Sequence, residues 1–200
     1  SALAKGDIVW GTAKQQRHAE ARDTAWGVGI DTATSWMKEF GAYRNKATED
    51  SGASLQKVSS LSVGGSSLMK SEAGSIVTKG TDMAVSGDNH FMAHGDVIFG
   101  STLESVSQNR HGKGKGIGSV EISDTERFTG YYQNKESGYL NQTTHKGSVI
   151  GSEKGNIQIY AGGKYIQESS ALLANDGKVA ISAKSVESIA HDNVSLSGNR

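Results

Sequence analysis

The sequence predicts an all-β chain, a parallel β-helix (solenoid) with projecting hairpin-like excursions, and three observations carry that expectation. Glycines recur at a period near twenty, from 74 to 95 and from 155 to 177, which are steps of 21 and 22 residues. Short runs rich in Val, Ile and Leu follow them and alternate with other residues, as in Ile157-Gln158-Ile159 and Val179-Ala180-Ile181. A period of two sends one set of side chains inward and the other to solvent. The chain also holds 26 glycines in 200 residues and no proline, about twice the usual glycine share, so it has many tight corners. Coils of that length would stack about 4.8 Å apart and complete one another's backbone hydrogen bonds.

Three stretches resemble one another: Gly6-Asp7-Ile8-Val9-Trp10-Gly11, Gly95-Asp96-Val97-Ile98-Phe99-Gly100 and Gly177-Lys178-Val179-Ala180-Ile181-Ser182. The second and third continue alike, through Leu103-Glu104-Ser105-Val106 and Val186-Glu187-Ser188-Ile189. At the same offset of 82 residues, Gly65 with Leu68 answers Gly147 with Ile150. Residues 65–109 and 147–193 are therefore expected to be two copies of one unit, with 6–18 the tail of an earlier copy. This alignment makes Trp10, Phe99 and Ile181 equivalent interior positions.

The whole of 1–200 reads as one β-solenoid segment with excursions at about 17–56 and 110–145. In the second excursion Val120 and Ile122, then Phe128 and Tyr132, alternate as a hairpin does. The first is open between helix and strand over 24–44. Trp26, Ile30, Ala33, Met37 and Phe40 would line a helix face, whereas Trp26, Val28, Ile30 and Trp36 share strand parity. Analogy with the second excursion favours strand.

Lys plus Arg and Asp plus Glu each total 21, so no global field steers the chain onto nucleic acid or an anionic membrane, and no nucleic-acid partner is expected. No run approaches the roughly 18 apolar residues of a transmembrane helix. The first residues lack the basic-then-apolar order of a signal peptide, and the segment is expected to be soluble. With no cysteine there is neither a disulfide framework nor a thiolate metal site.

The runs Thr144-His145-Lys146-Gly147-Ser148-Val149-Ile150-Gly151-Ser152, Gly155-Asn156-Ile157-Gln158-Ile159-Tyr160-Ala161-Gly162-Gly163-Lys164-Tyr165 and Gly177-Lys178-Val179-Ala180-Ile181-Ser182-Ala183-Lys184 resemble the haemagglutinin repeat. That repeat occurs in filamentous haemagglutinin and in contact-dependent growth inhibition exoproteins. The likeness is strongest over 145–193, weaker over 60–116, and lost over 12–56, where the Trp-rich stretch departs from the pattern. The resemblance implies a two-partner-secreted protein on the surface of a Gram-negative bacterium, with a right-handed β-helical shaft serving adhesion, cell contact or toxin delivery. It implies an outer-membrane transporter as partner during secretion and an unidentified receptor on a target cell or host surface. Open coil ends also suggest end-to-end or edge self-association.

Candidate sites are few. Gly112-Lys113-Gly114-Lys115-Gly116-Ile117-Gly118 lacks the order of a phosphate-binding loop and reads as a flexible, basic hairpin base. His90 and His94 are spaced as helical metal ligands but sit in a strand-like run, with Phe91 where a zinc protease needs Glu. His18, His111 and His191 read as recurring polar corners. No catalytic residue, metal or cofactor is expected. The candidate partner-contact surface is the set of aromatics on the excursions, Trp26, Trp36, Tyr131, Tyr132 and Tyr139, because rigid aromatics dominate interface energetics. Two other readings compete. A polysaccharide-acting β-helix enzyme needs carboxylates and a base converging on adjacent coils; Glu104 and Glu187 recur, but no Arg or Lys recurs beside both. A phage or secretion-needle spike also carries Gly-Asp-apolar runs, in intertwined trimers.

Overall fold

The computed structural model describes residues 1–34, 37–123 and 126–199; within them the side chains of 29–34, 37–41, 43, 119–123, 126–129 and 132 lie outside the description. Every regular element among the described residues is a strand. In chain order these are β1 (Ala2–Ala4), β2 (Ile8–Trp10), β3 (Ala13–Thr34), β4 (Met37–Lys57), β5 (Ser59–Val63), β6 (Ser67–Ser71), β7 (Ile76–Lys79), β8 (Thr81–Val85), β9 (Asn89–Ala93) and β10 (Val97–Gly100). There follow β11 (Thr102–Ser123), β12 (Glu126–Lys146), β13 (Val149–Ser152), β14 (Ile157–Ala161), β15 (Lys164–Glu168), β16 (Ala171–Ala174), β17 (Val179–Ser182), β18 (Ser185–Ile189) and β19 (Val194–Asn199). The stretch 24–44, open between helix and strand in the sequence, is strand on both sides of 35–36. Strand parity prevails there because neighbouring strands satisfy the backbone groups, which overrides a local helical period.

The chain forms two compact units. The first comprises Ser1–Gln16, Ser54–Ser105 and Thr143–Val194. Three sheets build it, ordered β1-β6-β9-β14-β17, β2-β7-β10-β15-β18 and β5-β8-β13-β16. All of their pairings are parallel. The chain visits the three sheets in the same cyclic order, as in β6, β7, β8 and then β14, β15, β16. Partners lie in straight columns: Ile8, Ile76, Val97, Tyr165 and Val186 in one sheet, and Leu61, Met83, Ile150 and Leu172 in another.

Inward columns of all three sheets meet in one core containing Ile76, Met83, Phe91, Phe99, Ile150, Ile159 and Tyr165. At its centre Phe91 packs edge-on against Phe99 with centroids 5.0 Å apart, and Phe99 against Tyr165 at 5.8 Å, the favoured geometry for aromatic quadrupoles. Beside these lies a satisfied polar stack. The Thr78 hydroxyl reaches Ser148 Oγ at 3.1 Å, and Ser148 Oγ donates to the Gly100 carbonyl at 3.1 Å.

These columns correct the repeat assignment made from the sequence. Ile8 stands two strands from Val97, and Val97 two strands from Val186, so the structural repeat is 89 residues and not 82. An offset of 82 lays a strand of one sheet on a strand of another: Val97 is in the β2–β18 sheet, whereas Val179 pairs with Ile157 in the β1–β17 sheet. Trp10 and Phe99 do share a column through Thr78, but Ile181 stacks on Ile159 and Phe91 in a different sheet. Glu104 and Glu187 likewise fall on β11 and β18, in separate sheets. The glycine steps of 21 and 22 survive, because Gly74 and Gly95 precede the neighbours β7 and β10, and Gly155 and Gly177 the neighbours β14 and β17.

Corners are held by side-chain ladders that climb one strand at a time. Asp88 Oδ1 accepts from the Asn156 amide at 2.7 Å, and Asn156 Oδ1 from the Lys178 amide at 3.0 Å. At a second corner Asp7 accepts from the Ser75 amide at 2.7 Å, Ser75 Oγ from Asp96 at 3.0 Å, and Asp96 from Lys164 at 2.7 Å. The third corner needs a left-handed residue where β7 passes directly into β8 and β15 into β16. Gly80 supplies it at φ 57°, and Ser169 takes it at φ 45°, a conformation costly for a residue with a Cβ.

The second unit comprises Arg17–Ala53, Val106–Gln142 and Ser195–Arg200. Its strands form one sheet, ordered β3-β4-β11-β12-β19. Thr48 reaches His111, and Ser107 reaches Gly52, so numbering rises on β4 as it falls on β11 and the pair is antiparallel. The same holds for β11 and β12, where Gly112 faces Glu136 and Gly114 faces Asn134.

Candidate binding surface

Strand alternation assigns each described side chain of the second unit to one of two faces. A Cβ built on Gly114 would meet the side chains of Asn45 and Asn134, so these three positions share a face. Their sequence neighbours Arg44, Lys46, Lys113, Lys115, Gln133 and Lys135 therefore lie on the other one. The His18 to Asp50 ion pair, at 3.4 Å, puts the even residues of β3 on that face as well. Gly112-Lys113-Gly114-Lys115-Gly116-Ile117-Gly118 reads from the sequence as a flexible, basic hairpin base. It is the interior of β11, with Gly114 and Gly116 buried while Lys113, Lys115 and Ile117 are exposed. Flanking strands supply the hydrogen bonds a glycine-rich segment would otherwise lack.

Three of the five predicted contact aromatics lie on one face of this sheet. Trp26 is 77% exposed, Tyr131 57% and Tyr139 49%, and alternation places all three on the face that carries the lysines. Trp36 lies outside the described residues, as does the side chain of Tyr132. The residues invoked for the second hairpin, Val120, Ile122 and Phe128, have side chains outside the description too. What sequence reading missed is the cationic cluster. Lys46, Lys113 and Lys135 line one shallow depression, and Arg44, Lys46, Lys113 and Lys115 the next. The Gly-Lys alternation of 112–116 was the available signal, since one bare and one charged side at period two describes a strand.

Each face carries charges of both signs. Glu49 accepts from Gln108 Nε2 at 2.5 Å and meets Arg110 at 3.4 Å. The hydrogen bond from Gln108, and then that from Arg110, holds its carboxyl below the usual range. Glu136 lies over Gly112 on this same side. Among the described residues none of Arg44, Lys46, Lys113, Lys115 and Lys135 forms an ion pair. The carboxylates Glu20 and Asp50 on the cationic face are engaged by Arg22 and His18.

The remaining candidates do not assemble a reactive site. His90 points outward in a column with Leu68 and Gln158, and His94 lies in the bend that follows β9. His18 and His111 are mid-strand rather than at corners, and His191 stacks on His145 with centroids 4.5 Å apart. Among the described residues no group of three His, Cys, Asp or Glu is placed to hold a metal ion. Comparison with known protein families, with curated proteins and with solved structures finds no match to the chain.

Proposed function

We propose that the chain is a segment of a right-handed β-helical shaft in a secreted bacterial surface protein, and that its antiparallel sheet is the surface by which the protein contacts a target cell or host. Straight columns of parallel neighbours around a shared core support the shaft, because βαβ-like parallel crossovers are almost always right-handed and stacked coils bury a continuous interior. The observation that carries the contact role is the exposed aromatic and cationic face, whose side chains spend no area on a core of their own. The haemagglutinin-repeat resemblance supplies the cellular setting, and no catalytic step is assigned.

Two measurements test this reading. Cysteines at 90 and 158 occupy directly paired, outward positions, about 5 Å apart as parallel neighbours are, within disulfide reach. Oxidation is expected to cross-link them in high yield, and a yield no greater than that of a pair at 90 and 180, two strands apart, would remove the stacked-coil basis. Fluorescently labelled chain is expected to bind intact cells, and replacing Trp26 and Tyr131 with Ala is expected to weaken it; equal binding by the variant would refute the contact role.

A further inference from the structure

We infer that His145 and His191 form a binding site for a divalent transition-metal ion, Zn2+ or Ni2+, held between the two imidazoles and completed by water. The rings stack with centroids 4.5 Å apart and planes 15° from parallel. His191 is exposed and His145 half-buried, so an ion can reach both from solvent. Each backbone is pinned from outside the pair. The His145 amide donates to Asn193 Oδ1 at 2.8 Å, and the His191 amide to Ser169 Oγ at 3.0 Å. The two side chains therefore spring from fixed points, one at the end of β12 and one in the segment between β18 and β19. Among the described residues no other two histidine rings stack on each other.

The fold does not require histidine at either place. One structural repeat of 89 residues earlier, Gln56 stands where His145 does, Thr102 where His191 does and Glu104 where Asn193 does. The Gln56 amide donates to Glu104 Oε1 at 3.0 Å, the same contact that His145 makes with Asn193. The scaffold thus recurs without the imidazoles, and the pair is a chemical addition to it. Neutral imidazole is a nitrogen donor that suits Zn2+, Ni2+ and Cu2+, whereas Mg2+ and Ca2+ take oxygen. A tetrahedral ion with bonds of roughly 2.0–2.1 Å holds two ligand nitrogens roughly 3.4 Å apart, so rings stacked at this separation reach it by tilting together at one edge. Two protein ligands are fewer than the four of a closed structural zinc site, which makes the ion exchangeable. Its mechanical effect is to clip the segment linking β18 to β19 onto the end of β12. The site stands apart from the contact role, so its failure would leave that reading intact.

The test titrates the whole chain, free of any affinity tag, with Zn2+ and with Ni2+ by calorimetry, with Mg2+ as the comparison ion. Zn2+ and Ni2+ are each expected to bind with a single equivalent, and Mg2+ not at all. His145→Gln and His191→Gln should each lower the affinity about tenfold or more, since loss of even an outer-shell partner costs a metal site that much. His90→Gln, on the separate strand β9, should bind as the native chain does. Saturating Zn2+ should raise the unfolding midpoint of the native chain, as any ligand of the folded state does, and leave that of the His145 and His191 variants unmoved. A readout on the native chain alone removes any dependence on how the variants fold: paramagnetic Ni2+ should broaden the ring proton resonances of His145 and His191 ahead of those of His18, His90, His94 and His111. Absence of binding, undiminished affinity in either pair variant, an equal loss in His90→Gln, Mg2+ binding as tight as that of Zn2+, or uniform broadening of all six histidines would overturn the site.

Discussion

The two units of the chain solve opposite problems with the same strand. In the parallel sheets alternate residues vanish into a common interior, so Phe99, Ile150 and Tyr165 are 0–1% exposed and each column constrains the residue types above and below it. In the antiparallel sheet both faces are largely open, and the described residues that are buried, Gly114 and Gly116, have no side chain to bury. Stability therefore concentrates in the first unit, and the second is free to vary its surface chemistry.

The contrast predicts a steep gradient of mutational cost. Phe99→Ala should destabilise by about 3–5 kcal/mol by opening a cavity in the aromatic stack, whereas Trp26→Ala should change stability by no more than about 0.5 kcal/mol. Urea unfolding of the two variants measures both, and comparable costs would erase the distinction between the units. Next in size, Asp88→Ala removes the acceptor for the Asn156 amide, at a cost of about 1–3 kcal/mol. Asp88→Asn, which keeps an oxygen, should recover most of that, and no recovery would mean that the ladder does not act through its oxygen.

Smaller effects sharpen the comparison. Ser169→Gly should stabilise by about 0.5–1 kcal/mol by relieving the left-handed backbone, read as a higher unfolding midpoint; a lower midpoint would show that Ser169 Oγ, which accepts from the His191 amide at 3.0 Å, matters more than strain. Smallest is the acid response of the second unit. Glu49 has a lowered pKa in the folded chain, so its contribution is complete above the ordinary Glu value near 4.3 and is lost as pH falls below it. Amide protection across β4 and β11, taken relative to intrinsic exchange, should fall on acidification more in the native chain than in Glu49→Gln. Tyr165 acts in the opposite direction in the first unit: burial pushes its phenol up, so stability is full below about pH 10 and declines as pH rises.

Much of the first unit was legible because stacking repeats a local demand. Every strand entering the core needs the same alternation, and every tight approach needs a glycine: a Cβ on Gly147 would overlap the Ser169 carbonyl, and one on Gly155 would meet the Gly87–Asp88 backbone. That is why all-β character, the alternation and the steps of 21 and 22 residues were all visible in the residues themselves. The exposure of Trp26, Tyr131 and Tyr139 was legible for a similar reason, since large rings outside a core pattern stand out in any register.

Which sheet a strand joins could not be read in the same way. Three sheets around one interior impose the same apolar alternation, so Gly95-Asp96-Val97 and Gly177-Lys178-Val179 look alike although they belong to different sheets, and an offset of 82 passed for the true 89. The ladder from Asp88 to Asn156 spans 68 residues, and the lysine row joins 46, 113 and 135. Hydrogen bonding between distant strands fixes such neighbours, and nothing local in the chain encodes the register that brings them side by side.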